Sequence, residues 1–341
     1  MLNRRTALSA IGLSVALVPR HAFSQTRVRL RLAAYLSPQS HSVLRIVKPW
    51  KEIVEKESDG RITFDFYTGG SLGRSPYTQF DLVRAGIPEI SFAQPNYTSG
   101  QFPQLQLLEA PFLARSAVEC SLAAWRLCES GVAEGFEDVK LLGIWSAEPG
   151  LLFTRVPMTD FADVRNLKIR SAGRLEGEFI ESLGATAEAM HPADVYEGMR
   201  RHTIHGSVQG WVSLQTFQVW RVATHVHTAP FGAVMFALMM NRRAWDGLPD
   251  DLKAVLEQTC GQRLALLGGQ AYDARVIEIE KKHRDDRTLV FVEAGADDME
   301  RLRASTKPLI DAWIARTARG QQAYDLVMDT LTQLRRRERM S

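Results

Sequence analysis

Strand and helix patterns alternate along the chain from residue 28 onward, and this alternation constrains the fold more than any other feature of the sequence. Residues 28–35 alternate apolar and polar side chains as a half-buried strand does. A helical spacing of apolar residues follows over 42–58. Strand patterns then occupy 62–67 and 89–93, with a short helix over 76–85 between them. Strands that alternate with helices are typical of an α/β fold with a largely parallel sheet.

The same alternation recurs in the second third of the chain. Strand patterns occupy 141–145, 151–154, 166–170, 188–190 and 204–208, with helical patterns between the later ones. No linker rich in Pro, Gly or Ser separates the two halves. We therefore expect two α/β lobes that are joined by several chain crossings rather than by one tether.

A long helical pattern follows a buried apolar strand at 234–241. It runs from Asp251 to about His283, and only Gly261 and Gly268-Gly269 interrupt it. A helix of about 33 residues would be about 50 Å long, which is enough to span both lobes.

Each predicted lobe takes two stretches of the chain. Lobe I comprises 25–150 and 237–283, and lobe II comprises 151–236 and 284–341. The chain therefore crosses between the lobes more than once.

Residues 1–24 have the pattern of a secretory signal peptide. Arg4-Arg5 precedes an apolar run over 7–18, and Ala22-Phe23-Ser24 fits the small-x-small pattern of a cleavage site. The run is shorter than the about 20 apolar residues that span a bilayer. We expect export to the periplasm with cleavage near Ser24/Gln25, and no lipid anchor because no cysteine follows that site.

The export route has two interpretations. Arg4-Arg5 followed by Thr6-Ala7-Leu8 indicates the twin-arginine route. Arg20 and His21 favour the same route, because positive charge before the cleavage site disfavours the general secretory channel. Ala7 stands where phenylalanine is commoner, and an ordinary secretory signal with a basic start remains the alternative.

Removal of the signal peptide changes the charge balance. The chain has 42 Lys and Arg against 39 Asp and Glu, and Arg4, Arg5 and Arg20 lie in the signal. The mature chain then has 39 basic and 39 acidic residues, a formal net charge of zero. Binding to nucleic acid through bulk positive charge is therefore not expected.

The histidines and cysteines of the chain predict no metal site and no cofactor. His202, His205, His225 and His227 lack the second ligand cluster that a closed metal site needs. Cys120 and Cys128 are eight residues apart in a helical pattern, about 12 Å, which is too far for a disulfide. Free cysteines, Cys260 included, are the expectation.

Several short segments together resemble the solute-binding subunits of TRAP transporters, the DctP-like family. They appear in the family's order and spacing: 54–62, 67–73, 110–113, 166–170, 183–186 and 241–249. The resemblance implies a periplasmic binding protein fold with two lobes hinged around a cleft and a long helix across both. It also implies capture of an organic carboxylate in the cleft, delivery to a small and a large integral membrane subunit, and a monomeric state.

Arg170 is the first candidate for binding that carboxylate. It ends a short apolar strand, and ligands of α/β sheets gather beyond the carboxyl ends of strands. A guanidinium offers a planar fork that matches a carboxylate in a bidentate way. Arg170 also ends the Leu-Lys-Ile-Arg motif, which matches the position of the family's carboxylate-binding arginine.

Two further positions follow from the resemblance. Leu151 stands where many relatives have an arginine or another polar residue, which argues against sugar acids and small dicarboxylates as ligands. Gln209 matches the asparagine of a family motif and is a candidate hydrogen-bonding partner. Together with Arg170, these positions predict a monocarboxylate with an apolar or aromatic body.

The remaining candidates would form the walls of the pocket. Trp211 and Phe231 follow strand ends, and Tyr35 ends the first strand. Gln94 and Asn96 follow the third strand, as does Tyr97. Pockets for organic acids need apolar walls around a few polar groups.

Two other functions are weighed against transport. The chain has no Gly-x-Ser-x-Gly elbow, no His-Glu-x-x-His motif and no phosphate-binding glycine loop, so an enzyme is not expected. A protein that presents its ligand to a periplasmic sensor remains the alternative, because the same liganded lobes would dock on either partner.

Overall fold

The computed structural model describes residues 26–340, and the predicted signal peptide lies outside them. Two mixed sheets organise these residues. The first sheet has the order β2-β1-β3-β10-β4 and the second has the order β11-β9-β5-β8-β6-β7. The strands are β1 Val28–Ala34, β2 Ile62–Tyr67, β3 Ile90–Ala93, β4 Val139–Ser146, β5 Leu151–Thr154, β6 Lys168–Ser171, β7 Thr186–Ala189, β8 Gly206–Gln209, β9 His225–His227, β10 Met235–Asn241 and β11 Val290–Val292.

Helices cover the two sheets. They are α1 Lys48–Glu57, α2 Gln79–Arg84, α3 Ala117–Glu129, α4 Arg174–Ser182, α5 Pro192–Arg200, α6 Trp211–Thr216, α7 Arg242–Asp246, α8 Asp250–Thr259, α9 Gln262–Asp285, α10 Ala296–Arg316 and α11 Gly320–Glu338. A π-helical turn, Val43–Val47, precedes α1, and Pro49, which has no N–H to donate, lies in the first turn of α1. None of the helices within residues 26–340 is both long and apolar enough to cross a membrane.

Strand pairing confirms the α/β class and makes each sheet mixed. β1 is parallel to β2 and β3, whereas β10 is antiparallel to both β3 and β4. In the second sheet, β6 is parallel to β7 and β8, whereas β5 is antiparallel to β8 and β9. The chain leaves the first sheet after β4 and returns to it at β10, so it crosses between the lobes at least twice.

The predicted helix from Asp251 to His283 is wrong in one respect, because it is broken at Gly261. This residue has a φ of 62°, which favours glycine, and a Cβ there would lie 2.9 Å from the ring of Trp125. α8 therefore ends at Thr259, and α9 has 24 residues and a length of about 36 Å. α9 still spans both lobes, since it contacts α3 and β4 on one side and α6 on the other.

The glycine pair within α9 does not interrupt the helix. A Cβ on Gly268 would lie 2.5 Å from the Cβ of Trp145, and one on Gly269 would lie 2.7 Å from the Cα of Val118. These two glycines instead let the helix backbone approach β4 and α3 closely.

The C-terminal helices, which the predicted lobe II includes within 284–341, have contacts in both lobes. α11 packs on α3, and Val327 and Leu331 lie in the same apolar core as the buried face of α3. Arg335 binds the buried carboxylate of Glu119 on α3, with an N–O distance of 2.7 Å. α11 thus contacts lobe I, while α10 reaches from one lobe to the other through Leu302 and Trp313. Cys120, Cys128 and Cys260 are free thiols in the structure.

Candidate functional site

A cavity lies between the two lobes, with about 730 Å³ of empty space when its part open to solvent is included. Tyr35 and Gln94, which follow β1 and β3 of the first sheet, border it from lobe I. Arg170 on β6 and Gln209 on β8 border it from lobe II. Strand ends from both sheets therefore meet at one place, as the strand-end argument predicts for a ligand site.

Arg170 is the dominant charge of this cavity. Its side chain is buried at 2% exposure. Its Nε donates to the carbonyl oxygen of Met190 at 2.9 Å, and its Nη1 donates to that of Val208 at 3.1 Å. Two backbone carbonyls thus fix the plane of the guanidinium, and its remaining N–H groups are left for other acceptors.

No Asp or Glu among residues 26–340 forms a salt bridge with Arg170, although the guanidinium is buried. Its only hydrogen bond to a side chain within residues 26–340 is to the hydroxyl of Tyr97, 3.5 Å from Nη2. A buried charge without a counter-ion is costly. The site is therefore suited to an anion that comes from outside the protein.

The buried acids around Arg170 do not replace that anion. Burial raises the pKa of Glu176, a cavity residue, to about 7, although the charge of Arg170 lowers it. Burial also raises the pKa of Glu109 to about 8, against the hydrogen bonds from Asn96 and Leu175. Because these carboxyl groups hold protons near neutral pH, the charge of Arg170 is not fully compensated by them.

Four buried polar groups at the cavity have no hydrogen-bonding partner in the described structure. They are Ser40 Oγ, Gln94 Oε1, Glu148 Oε2 and Gln209 Nε2. Leaving such groups unpaired costs about 1–3 kcal/mol each. A ligand that carries both donors and acceptors would satisfy them.

Aromatic rings form much of the remaining wall. Phe236 and Tyr272 are stacked, with ring centroids 5.6 Å apart, and Phe217 also lines the cavity. Tyr35 contacts Phe92 from the first sheet at a centroid distance of 5.9 Å. Burial raises the pKa of Tyr97 to about 12, so its hydroxyl stays protonated at neutral pH and can donate a hydrogen bond. The walls suit a flat apolar body.

Four of the eight site residues predicted from the sequence border the cavity: Tyr35, Gln94, Arg170 and Gln209. The other four do not, and each has a physical reason. Trp211 begins α6 but turns into the core, where its ring meets Phe153 at 5.1 Å and stacks on His283 at 5.7 Å. Phe231 likewise lies in the core of lobe II, between Phe161 and Phe179.

Leu151 and Asn96 are occupied elsewhere. Leu151 pairs with Gln209 across β5 and β8 and packs against the apolar core, so Gly150 borders the cavity in its place. Asn96 donates from Nδ2 to Glu109 at 2.8 Å and accepts from the backbone N–H of Met235 at 2.6 Å. Both ends of its amide are therefore used within the protein.

Sequence reasoning missed Glu148, Glu176, Phe217 and Phe236. Glu148 lies in the loop after β4, and that position beyond a strand end is a signal that sequence reasoning could have used. Glu176 is the third residue of α4, where an acidic residue is common for capping alone. Nothing in the sequence separates the two phenylalanines from core residues.

The histidines singled out in the sequence, His202, His205, His225 and His227, do not border the cavity. Burial lowers the pKa of His227 to about 4, and its ring lies 4.0 Å from that of Phe161. Within residues 26–340, no group of three or more His, Cys, Asp or Glu side chains has an arrangement suited to a metal ion.

Comparison with known proteins gives consistent matches along the chain. Residues 32–317 match the family model DctP, described as bacterial extracellular solute-binding protein, family 7. The outer membrane transporter protein TsaT of Comamonas testosteroni is 26% identical over 337 residues, which cover 95% of this chain and 97% of that protein.

Two solved structures share the fold over nearly all of the described residues. One is a TRAP solute-binding protein from a marine metagenome, specific for aromatic acid ligands and co-crystallised with 3-hydroxybenzoate. It has a TM-score of 0.85 at 26% identity and covers 90% of this chain and 99% of that one. The other, from Bordetella bronchiseptica, contains (R)- and (S)-mandelate. It has a TM-score of 0.82 at 27% identity, with the same shares covered.

Proposed function

The chain belongs to family 7 of the bacterial extracellular solute-binding proteins, and we propose that its interlobe cavity binds an aromatic monocarboxylic acid. This membership confirms the resemblance to TRAP solute-binding proteins that the sequence predicts. Proteins of this class bind small organic acids outside the cytoplasm and work with membrane components. They are binding proteins and not enzymes.

The observation that carries the proposal is the state of Arg170. The guanidinium is buried, is oriented by two backbone carbonyls, and has no carboxylate partner among residues 26–340. A carboxylate that accepts two of its free N–H groups would supply both the missing charge and the missing hydrogen bonds.

The number of charges at the cavity favours a single carboxylate. Arg170 is the only Arg or Lys of the described residues that borders it, and the two acids there, Glu148 and Glu176, would repel a second anionic group when ionised. Aromatic walls favour a ring as the body of the ligand. The marine and Bordetella relatives bind 3-hydroxybenzoate and mandelate, which are acids of this class.

Substitution of Arg170 by alanine tests the proposal. In titration calorimetry with benzoate, 3-hydroxybenzoate and mandelate, we expect Arg170→Ala to weaken binding by at least about a hundredfold, because hydrogen bonds to a charged group are worth about 1.5–3 kcal/mol each. Arg170→Lys should recover little, since an ammonium cannot reproduce the planar fork.

Arg174→Ala is the matched control. Arg174 lies four residues away on α4 with its side chain 62% exposed, and it does not border the cavity. Its replacement should leave the affinity for all three acids within about twofold. Equal affinities in the wild type and in Arg170→Ala would refute the proposal.

We also propose that the acid is delivered in the periplasm to the small and large membrane subunits of a TRAP transporter, by a monomer cleaved near Ser24/Gln25. Mass spectrometry of the secreted protein tests the cleavage, and light scattering tests the monomer.

Uptake of labelled benzoate should be lost when either membrane subunit is deleted. Uptake that persists, with a signalling response that depends on this protein, would favour presentation to a sensor.

A further inference from the structure

Glu148 lies in the short crossing between β4 and β5, and its carboxyl group is buried against the cavity at 5% exposure. Its Oε1 accepts a hydrogen bond of 2.8 Å from the backbone N–H of Val212, in the first turn of α6. Its Oε2 is buried and has no partner in the described structure. One oxygen is thus fixed by the protein, while the other is free to meet a ligand.

The sequence around α6 makes room for this carboxyl. Gly210 precedes α6, and a Cβ at that position would lie 2.3 Å from Oε1 of Glu148. Any other residue at 210 would push the carboxyl away from the N–H groups of α6. The arrangement is therefore built by three neighbouring features, which are Glu148, Gly210 and the start of α6.

Arg170 and Glu148 border the same cavity and are both buried, yet they form no ion pair with each other. The charge of Arg170 acts on Tyr35, Tyr97, Glu176 and His191, and not on Glu148. Glu148 instead interacts electrostatically with Asp273 and Tyr272. The cavity thus has a cationic part around Arg170 and a separate acidic part around Glu148.

We propose that Glu148 is a specificity-determining residue whose Oε2 binds a hydroxyl group on the ring of the ligand, so that the preferred ligand is a hydroxylated aromatic monocarboxylic acid. This inference rests on the proposed function, since it requires the carboxylate of the ligand to occupy the Arg170 part of the cavity. The hydroxyl then projects toward the acidic part.

A ring hydroxyl suits the ionised form of Glu148, because it donates to Oε2 a hydrogen bond that the charge strengthens. The NH₂ group of a glutamine there would meet only the phenolic oxygen, which is a weak acceptor. A second carboxylate on the ligand would instead face the ionised form of Glu148 and be repelled. The same side chain therefore selects for a hydroxyl and against an aromatic dicarboxylate.

Calorimetry on the wild type and on Glu148→Gln tests this role. The glutamine carbonyl can still accept from Val212, while an NH₂ group takes the place of Oε2. The ligands are benzoate, the three hydroxybenzoates, the three methylbenzoates (of similar shape but without a donor) and isophthalate. Glu52→Gln, on the exposed face of α1, is the matched control for loss of one acidic charge.

In the wild type and in Glu52→Gln, we expect the tightest hydroxybenzoate to bind at least about tenfold more tightly than the methylbenzoate with the same substitution pattern. In Glu148→Gln this ratio should fall to about threefold or less. The affinity for isophthalate relative to benzoate should rise by at least about tenfold, a gain that general damage to the site would not produce.

Equal hydroxyl-to-methyl ratios in the wild type and in Glu148→Gln would overturn the role of Glu148, as would a wild type with no preference for any hydroxybenzoate. If the hydroxyl-to-methyl ratios are equal but benzoate binds the wild type and not Arg170→Ala, the role of Glu148 fails and the proposed function stands. If benzoate and its derivatives do not bind the wild type at all, both fail. Should Glu148→Gln not fold, Glu148→Asp, whose shorter side chain cannot reach both Val212 and a ligand, should lose the preference in the same way.

Discussion

At the scale of single residues, the cavity region concentrates acids that are held away from water. Burial raises the pKa of Glu109 to about 8 and those of Glu148 and Glu176 to about 7. All three lie close to the junction of the lobes, two of them in the cavity itself. Such groups are stable in the fold mainly as neutral acids, which keeps the net charge beside Arg170 positive.

The stability of the ligand-free protein should therefore decrease as the pH rises from 6.5 to 8, a range above the ordinary histidine pKa in which the lowered pKa of His227 adds little. A carboxyl whose pKa is raised by folding binds extra protons in the folded state. Its contribution is complete below the ordinary value near 4.5 and is lost as the pH passes through the folded pKa. Thermal unfolding across this range should show a smaller decrease for Glu176→Gln, whereas Glu52→Gln should follow the wild type. A wild-type midpoint that rises toward pH 8 would contradict this expectation.

At the scale of secondary-structure elements, the break between α8 and α9 sets where the long helix can lie. Gly261 lies at that break and adopts a positive φ. Its N–H donates to the carbonyl oxygen of Leu142 on β4 at 2.7 Å. The break lets α8 pack near α1 while α9 runs past α3 and toward α6. A continuous helix would have to give up one of these contacts.

Gly261→Ala should destabilise the protein by at least about 2 kcal/mol, because the backbone strain of a non-glycine residue there adds to the contact with Trp125. Gly100→Ala is the matched control, since a Cβ at Gly100 meets nothing within 4 Å and its φ is not positive. That substitution should change the free energy of unfolding by less than about 1 kcal/mol. Urea denaturation of the wild type and the two variants measures both effects. Equal decreases in the free energy of unfolding for Gly261→Ala and Gly100→Ala would contradict the expected backbone strain at position 261.

At the scale of the whole molecule, the sequence predicts the two-sheet α/β plan because strands and helices alternate clearly, and it predicts Arg170 because a motif and a strand end coincide there. It does not show that Gly261 lies at a helix break whereas Gly268 lies within a helix, since only the backbone conformation distinguishes the two. It does not separate Trp211 from Phe217, because an aromatic residue beyond a strand end can face either the core or the cavity. Side-chain direction depends on packing between elements that are distant in the sequence.

Closure of the lobes on the acid is the last expectation, and it concerns the molecule as a whole. Arg170 extends from the second sheet, and its Nη2 lies 3.5 Å from the hydroxyl of Tyr97, which follows the first sheet. A carboxylate bound to Arg170 and Tyr97 together would favour the state in which the lobes are near each other, since a ligand shifts the equilibrium toward the form it binds better. Small-angle scattering of the wild type should then give a smaller radius of gyration with saturating benzoate than without it, and Arg170→Ala should give no change. A wild type that binds benzoate by calorimetry while its scattering curve stays the same would mean that the acid enters a cavity already closed.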